Sequence, residues 1–287
     1  MARINISGVE IEYDLVGDAG AQAVAITPGG RFPKDTPGLP ELAKELAAGG
    51  RRVLLWDRPG CGASDISFNA GNESELHAAT LMQLIRELEL GPTALAAGSA
   101  GSRVSLLAAA HNPDCVSHLL LWWISGGMLS MITIAGYYCG DSAIAASKGG
   151  MEAVAALPAW ALQIARNPKN RDIILSQDPT QFIATMERWA LALLPPDNSP
   201  VPGITPEDFA RLRMPAKIYR SGVSDFSHPR ATSEWVHALL PNAELAEPPW
   251  PDDEWNRRSI DTEKTGSGLF VGWPALAPDI LEFTRGD

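Results

Sequence analysis

Residues 93–107, Thr93-Ala-Leu-Ala-Ala-Gly-Ser99-Ala-Gly-Ser-Arg-Val-Ser-Leu-Leu107, decide how the rest of the chain is read. A short β-prone run, Thr93–Ala97, leads into Gly98-Ser99-Ala100-Gly101, and a helical pattern reaching His111 begins at once. Such a junction puts one serine at the apex of a strand-to-helix turn, where the backbone is crowded and only residues with almost no side chain fit beside it. The turn lifts the hydroxyl to the top of a sheet, next to a helix N-terminus that favours developing negative charge. Tight strand–helix packing alone also uses Gly, Ala and Ser, so the role of Ser99 depends on its surroundings.

Upstream, Ile4–Val16 alternates apolar and polar residues about Gly8, as a β-hairpin does. Short apolar strands at Ala23–Ile26 and Arg52–Trp56 flank a helix at Leu39–Ala48, and Leu81, Leu84, Ile85 and Leu88 share one face of a further helix. Downstream of Ser99, Val116–Ile124 reads as a buried strand ending at Ser125-Gly126-Gly127. Strands alternating with helices imply a mostly parallel sheet covered on both faces, the α/β class. The alternation stops at Met128 and only helical patterns follow to Thr205, with Asn198-Ser199-Pro200-Val201-Pro202-Gly203 as a linker. It resumes with a strand at Ala216–Tyr219, a helix at Arg230–Leu240, a strand at Glu244–Glu247 and a helix at Ala277–Arg285. The expected organisation is a core of residues 1–127 and 206–287 interrupted by a helical lid at 128–205.

The 287 residues suffice for a sizeable core, and the formal net charge of −11 argues against nucleic acid or an anionic membrane as partner, since both need a basic face. Cys61, Cys115 and Cys139 include no close-spaced metal or redox pair, and read as small buried apolar residues. Met1–Gly8 has no apolar signal core, and the longest apolar run, Leu119–Ile124, is strand-sized, so a cytoplasmic location is expected. A small organic molecule is the expected partner; a monomer and a homodimer both stay open.

The layout resembles the α/β-hydrolase superfamily over nearly the full chain. Four landmarks occur in the family's order. Pro28-Gly29-Gly30 ends a strand, Asp57-Arg58-Pro59-Gly60-Cys61-Gly62-Ala63-Ser64 is similar to Asp-x-Pro-Gly-x-Gly-x-Ser, and Ala97-Gly98-Ser99-Ala100-Gly101 is similar to Gly-x-Ser-x-Gly with Ala97 for the first glycine. The fourth, Ser221-Gly222-Val223-Ser224-Asp225, is similar to the Gly-x-x-Asp that carries the family's acid. The resemblance implies Ser99 as nucleophile, the backbone N–H groups of Gly30 and Ala100 as oxyanion hole, and Asp225 as the acid that orients a base. As a bare residue Asp225 also suits the N-cap of the helix that follows. The resemblance implies no cofactor and no metal.

The pattern breaks at the base. Relatives place a histidine after the last strand, where this chain reads Glu247-Pro-Pro-Trp250-Pro-Asp-Asp253-Glu254-Trp255, and no histidine follows His237. His77, His111, His118 and His237 read as structural residues. His228, three residues after Asp225 in a loop at the top edge of the sheet, reads either as the base or as a loop residue in contact with substrate. Asp253 and Glu254 read either as a solvated acidic loop, paired with Arg257 and Arg258, or as an alternative carboxylate acid or base. Trp123 and Trp250 are candidates for substrate contact; Trp122 and Trp123 alternate across the sheet, so at most one should line the cleft.

Two functions follow. The first is a serine hydrolase acting through Ser99 on a small, largely apolar ester, lactone, amide or activated C–C bond. The second keeps the fold without an acyl-enzyme step, as a lyase, isomerase or ligand-binding protein; the missing histidine motivates it. A haloalkane- or epoxide-type hydrolase would carry Asp at the turn, which Ser99 opposes.

Overall fold

The hairpin forms where the alternation puts it: β1 (Ala2–Ile6) and β2 (Val9–Val16) pair antiparallel across a turn in which Gly8 holds φ at +88°. In the computed structural model, which describes residues 2–285, six more strands complete one sheet. They are β3 (Ala23–Thr27), β4 (Arg52–Trp56), β5 (Thr93–Ser99), β6 (Val116–Ile124), β7 (Ala216–Tyr219) and β8 (Ala243–Ala246). The strand order is β1-β2-β4-β3-β5-β6-β7-β8. β2 meets β4 antiparallel, and every later pairing is parallel. The parallel strands therefore end at one edge, where the loops after β3, β5, β6 and β7 converge.

Helices α1 (Leu39–Ala48), α2 (Glu73–Glu87) and α3 (Ala100–His111) connect the first strands. Between β6 and β7 the chain runs through α4 (Met128–Ala135), a widened helical turn (Gly136–Gly140), α5 (Asp141–Ala155), α6 (Pro158–Arg166), α7 (Lys169–Leu175), α8 (Pro179–Leu191) and α9 (Pro206–Arg211). After β7 come α10 (Arg230–Leu239), α11 (Glu254–Thr265) and α12 (Ala277–Phe283).

Period-two side-chain alternation divides the core between the sheet's faces. Leu95, Ala97, Leu119 and Leu121 pack with Leu81 and Leu84 of α2 and Leu106 and Leu107 of α3. Ala94, Ala96, Leu120 and Trp122 pack with Leu42 and Leu46 of α1 and Ile280 of α12. A third cluster fills the helical insertion, and Phe68 enters it from the segment after β4, edge-on to Trp160 at 5.7 Å and to Phe182 at 5.0 Å. Asn170 of α7 ties the same junction: its Oδ1 accepts the Ile66 N–H at 2.8 Å and its Nδ2 donates to the Ser64 carbonyl at 3.1 Å.

Three sequence expectations change. Residues 198–203 form no solvated tether: Ser199 and Val201 are buried, and Val201 and Ile204 join the core, because the segment supplies apolar side chains beside the sheet. The stretch holding Asp253 and Glu254, for which a solvated acidic loop was one of two readings, leads into a helix, α11 over Glu254–Thr265, which has little apolar content and is supported by Glu254 pairing with Arg257 and Arg258 one turn on. Trp122 and Trp123 lie in the same core cluster and both pack on Trp273, at 4.7 and 5.9 Å. Trp123 takes φ +47° where the β5–β6 register shifts, and that bulge cancels the expected alternation.

Candidate active site

Ser99 is the last residue of β5 and immediately precedes α3, with φ +58° and ψ −132°. A non-glycine residue held there carries roughly 1–3 kcal/mol of backbone strain, maintained by its surroundings. The close quarters explain its small neighbours. A Cβ on Gly101 would lie 2.1 Å from the Thr27 carbonyl oxygen, one on Gly98 2.3 Å from Trp122 Nε1, and one on Gly29 2.3 Å from Ser99 Cβ. Ser102 Oγ, 3.0 Å from both the Ala97 and Trp122 carbonyl oxygens, fastens the first turn of α3 to the sheet.

The loop after β7 carries Asp225 and His228, both buried. Asp225 Oδ1 accepts the backbone N–H of His228 at 2.9 Å, and its Oδ2 lies 3.0 Å from His228 Nδ1. His228 Nε2 lies 2.9 Å from Ser99 Oγ. An ionised carboxylate only accepts, so the Nδ1 proton faces Asp225 and the Nε2 lone pair faces the serine hydroxyl. Trp123 stacks on the imidazole with ring centroids 6.1 Å apart, and Trp255 meets it edge-on at 4.3 Å. Asp225 is not the N-cap of α10, a position that Pro229 fills.

Ser99 opens on a cavity of about 140 Å³ whose walls include Gly30, Phe32, Ala100, Ser125 and Trp255. Ser125 Oγ is 3.5 Å from Ser99 Oγ. The first N–H groups of α3, Ala100 included, have no partner within the helix. Gly30, at φ +53°, is held from behind by buried Arg58, whose Nη2 donates to the Gly29 and Gly30 carbonyls at 3.2 and 2.6 Å. In a planar trans peptide the Gly30 N–H then points to the side opposite the Gly29 carbonyl. Asp57 shapes the loop bearing Arg58, accepting the N–H groups of Lys34 at 2.6 Å and Ala63 at 2.8 Å; a Cβ on Gly62 would strike this carboxylate at 2.1 Å. A larger cleft of about 530 Å³ meets the Ser99 cavity at Phe32, Tyr138 and Leu269.

The structure brings Ser99, Asp225 and His228 into contact, with Gly30 and Ala100 beside them, and leaves the other candidates apart. Trp123 lies behind His228 with Trp250 packed on it at 5.3 Å, and Trp255 is the tryptophan in the cavity wall. Glu254 is buried but engaged by Arg257 and by Arg258, at 2.7 Å from the latter, while exposed Asp253 pairs with Arg257 at 3.3 Å. These ion pairs, not Ser99, account for both carboxylates. His111 pairs with Glu75 at 3.1 Å, and His77 donates to the Pro59 carbonyl at 2.9 Å, its pKa pushed down to about 4 by burial. Arg58 and Ser125 went unassigned in the sequence. Their place in recognisable loops was visible, but no spacing rule gives the direction of a side chain in a loop.

No family model matches the chain. A 2-hydroxy-6-oxononadienedioate/2-hydroxy-6-oxononatrienedioate hydrolase from Cupriavidus pinatubonensis is 40% identical over 76 residues, 26% of each chain. The chain thus aligns with about a quarter of that relative's length. The enol-lactonase structure from Burkholderia xenovorans LB400 matches with a TM-score of 0.57 at 19% identity, over 92% of this chain and 98% of the other. An α/β hydrolase from a Medee basin deep-sea metagenome library matches with a TM-score of 0.63 at 16% identity, over 100% and 99%. The eight-stranded, mostly parallel sheet with its crossover helices, and the likeness to these structures over nearly the whole chain, make this chain an α/β-hydrolase-fold protein.

Proposed function

We propose that the protein is a serine hydrolase in which Ser99 is the nucleophile, His228 the general base and Asp225 the group that orients it. One observation carries this reading: the continuous chain of contacts from Ser99 Oγ through the His228 ring to Asp225, at 2.9 and 3.0 Å. His228 takes the hydroxyl proton as Oγ attacks a carbonyl carbon, and returns it to the leaving group. The N–H groups of Gly30 and Ala100 receive the oxyanion, and Arg58 holds the Gly30 peptide for that task. Water, activated by the same imidazole, then releases the acyl group. The helices of residues 128–205 act as a lid, contributing Ile134 and Tyr138 to the walls.

Esters, lactones and activated C–C bonds are the bonds in view, since enzymes of lactone and dienedioate cleavage are among the proteins this chain resembles. The reading without a covalent step was motivated by the missing histidine after β8; the contact of His228 with Ser99 at 2.9 Å supports the hydrolytic reading instead. A fluorophosphonate probe should label Ser99, and Ser99→Ala should abolish both labelling and ester turnover. Full turnover in Ser99→Ala would refute the assignment.

A further inference from the structure

A second chamber, of about 40 Å³, abuts the Ser99 cavity; Gly30, Ala100, Ser125, Ile134 and Tyr138 are walls of both. Its charged lining is lopsided. Arg31, Arg58 and Arg103 face a single carboxylate, Glu73, together with His77. Arg58 and Arg103 are 1% and 3% exposed, and the Arg31 side chain 8%. Arg31 pairs with Glu73 at 3.2 Å and lies over the Trp160 ring at 3.8 Å; Arg103 donates to the Ala192 carbonyl at 3.1 Å. The Nε atoms of all three arginines are buried without a hydrogen-bond partner. His77 does not add charge near neutral pH, because burial holds its pKa at about 4. Burial also pushes the Arg103 guanidinium down to about 10. Buried cations are ordinarily matched by anions, and unmatched ones are strongly destabilising. Among the described residues no second carboxylate lines this chamber.

We infer that the chamber is an anion subsite, and that the substrate carries a carboxylate at the far end of a short acyl chain, held by Arg31, Arg58 and Arg103 while its scissile carbonyl lies beside Ser99. A carboxylate matches the planar guanidinium fork and the small volume. That the carboxylate sits on an acyl chain rests on the hydrolase reading of Ser99; that the chamber binds a carboxylate does not.

The test compares 4-nitrophenyl hydrogen glutarate with 4-nitrophenyl 5-methylhexanoate, two esters of similar acyl shape in which one ends in a carboxylate and the other in an isopropyl group. The wild type should favour the charged ester in kcat/KM. Arg103→Gln should lower the charged-to-neutral ratio about tenfold or more, as expected for a lost charge-assisted hydrogen bond, and Arg103→Lys should restore part of it. A ratio taken within one variant is insensitive to the fraction of protein that folds. Separately, glutarate should raise the unfolding temperature of Ser99→Ala in a concentration-dependent way, an experiment that needs no turnover. Equal or better use of the neutral ester by wild type, an unchanged ratio in Arg103→Gln, or no shift with glutarate would each overturn the subsite. Loss of hydrolysis of both esters with the glutarate shift intact would refute the hydrolase reading and leave the subsite standing.

Discussion

In the proposed mechanism His228 supplies, from the loop after β7, the base that a motif search looks for after β8. It sits three residues from Asp225, so one loop carries both groups and a single carboxylate binds the backbone and the ring of the same residue. Ser99, Asp225 and the break after β8 were legible in the sequence as candidates, and the base role was one of two readings of His228. The hydrogen bond that joins His228 to Ser99 was not, because loop direction is set by tertiary contacts such as the approach of Gly222, where a Cβ would lie 1.8 Å from the Asp252 carbonyl oxygen. Asp225→Asn should leave the fold intact and reduce kcat by about ten-thousand-fold, by stabilising the wrong imidazole tautomer. Steady-state kinetics with circular dichroism on the same sample checks it. His77 sets a second expectation. Its folded pKa is about 4 against 6.5 when solvated, so between those values the unfolded chain binds more protons. Stability therefore falls as pH drops from 6.5 towards 4, by up to about 3 kcal/mol from this residue. His77→Gln, which keeps a donor for Pro59, should flatten that part of the stability profile in urea titrations.

At the scale of elements, the strand-to-helix turn is built by backbones in near contact. Gly101→Ala should destabilise the protein by about 1–3 kcal/mol, because β3 and α3 must separate to admit a methyl group. Gly29→Ala should reduce kcat/KM out of proportion to any loss of stability, since its methyl group would press on Ser99 itself. Parallel measurement of unfolding and turnover separates the two effects. The regular elements were the most legible part of the sequence: α1, β4 and β7 fall where apolar periodicity places them. α11 was hidden because its support comes from charge pairs rather than an apolar stripe. The bulge at Trp123 was hidden because tryptophan gives no local signal for positive φ.

For the molecule as a whole, the helical insertion is fastened to the segment after β4 rather than tethered by its ends. Phe68 penetrates its core, Asn170 satisfies two backbone groups beyond its own helix, and Lys169 pairs with buried Asp65 at 2.6 Å. Unfolding followed by tryptophan fluorescence and by far-ultraviolet circular dichroism should therefore coincide in one transition. Asn170→Ala should cost about 2–4 kcal/mol, by leaving buried backbone groups of residues 64 and 66 unpaired. Non-coincident transitions would mean that the insertion melts by itself.

The most direct measurement is the second-order rate at which a fluorophosphonate probe phosphonylates Ser99, with the adduct located by mass spectrometry. With His228 as base, His228→Ala should slow this reaction by about a thousand-fold or more, while Asp253→Asn reacts as the wild type does. Wild-type reactivity in His228→Ala, or its collapse in Asp253→Asn, would contradict the account and return the base to the segment after β8.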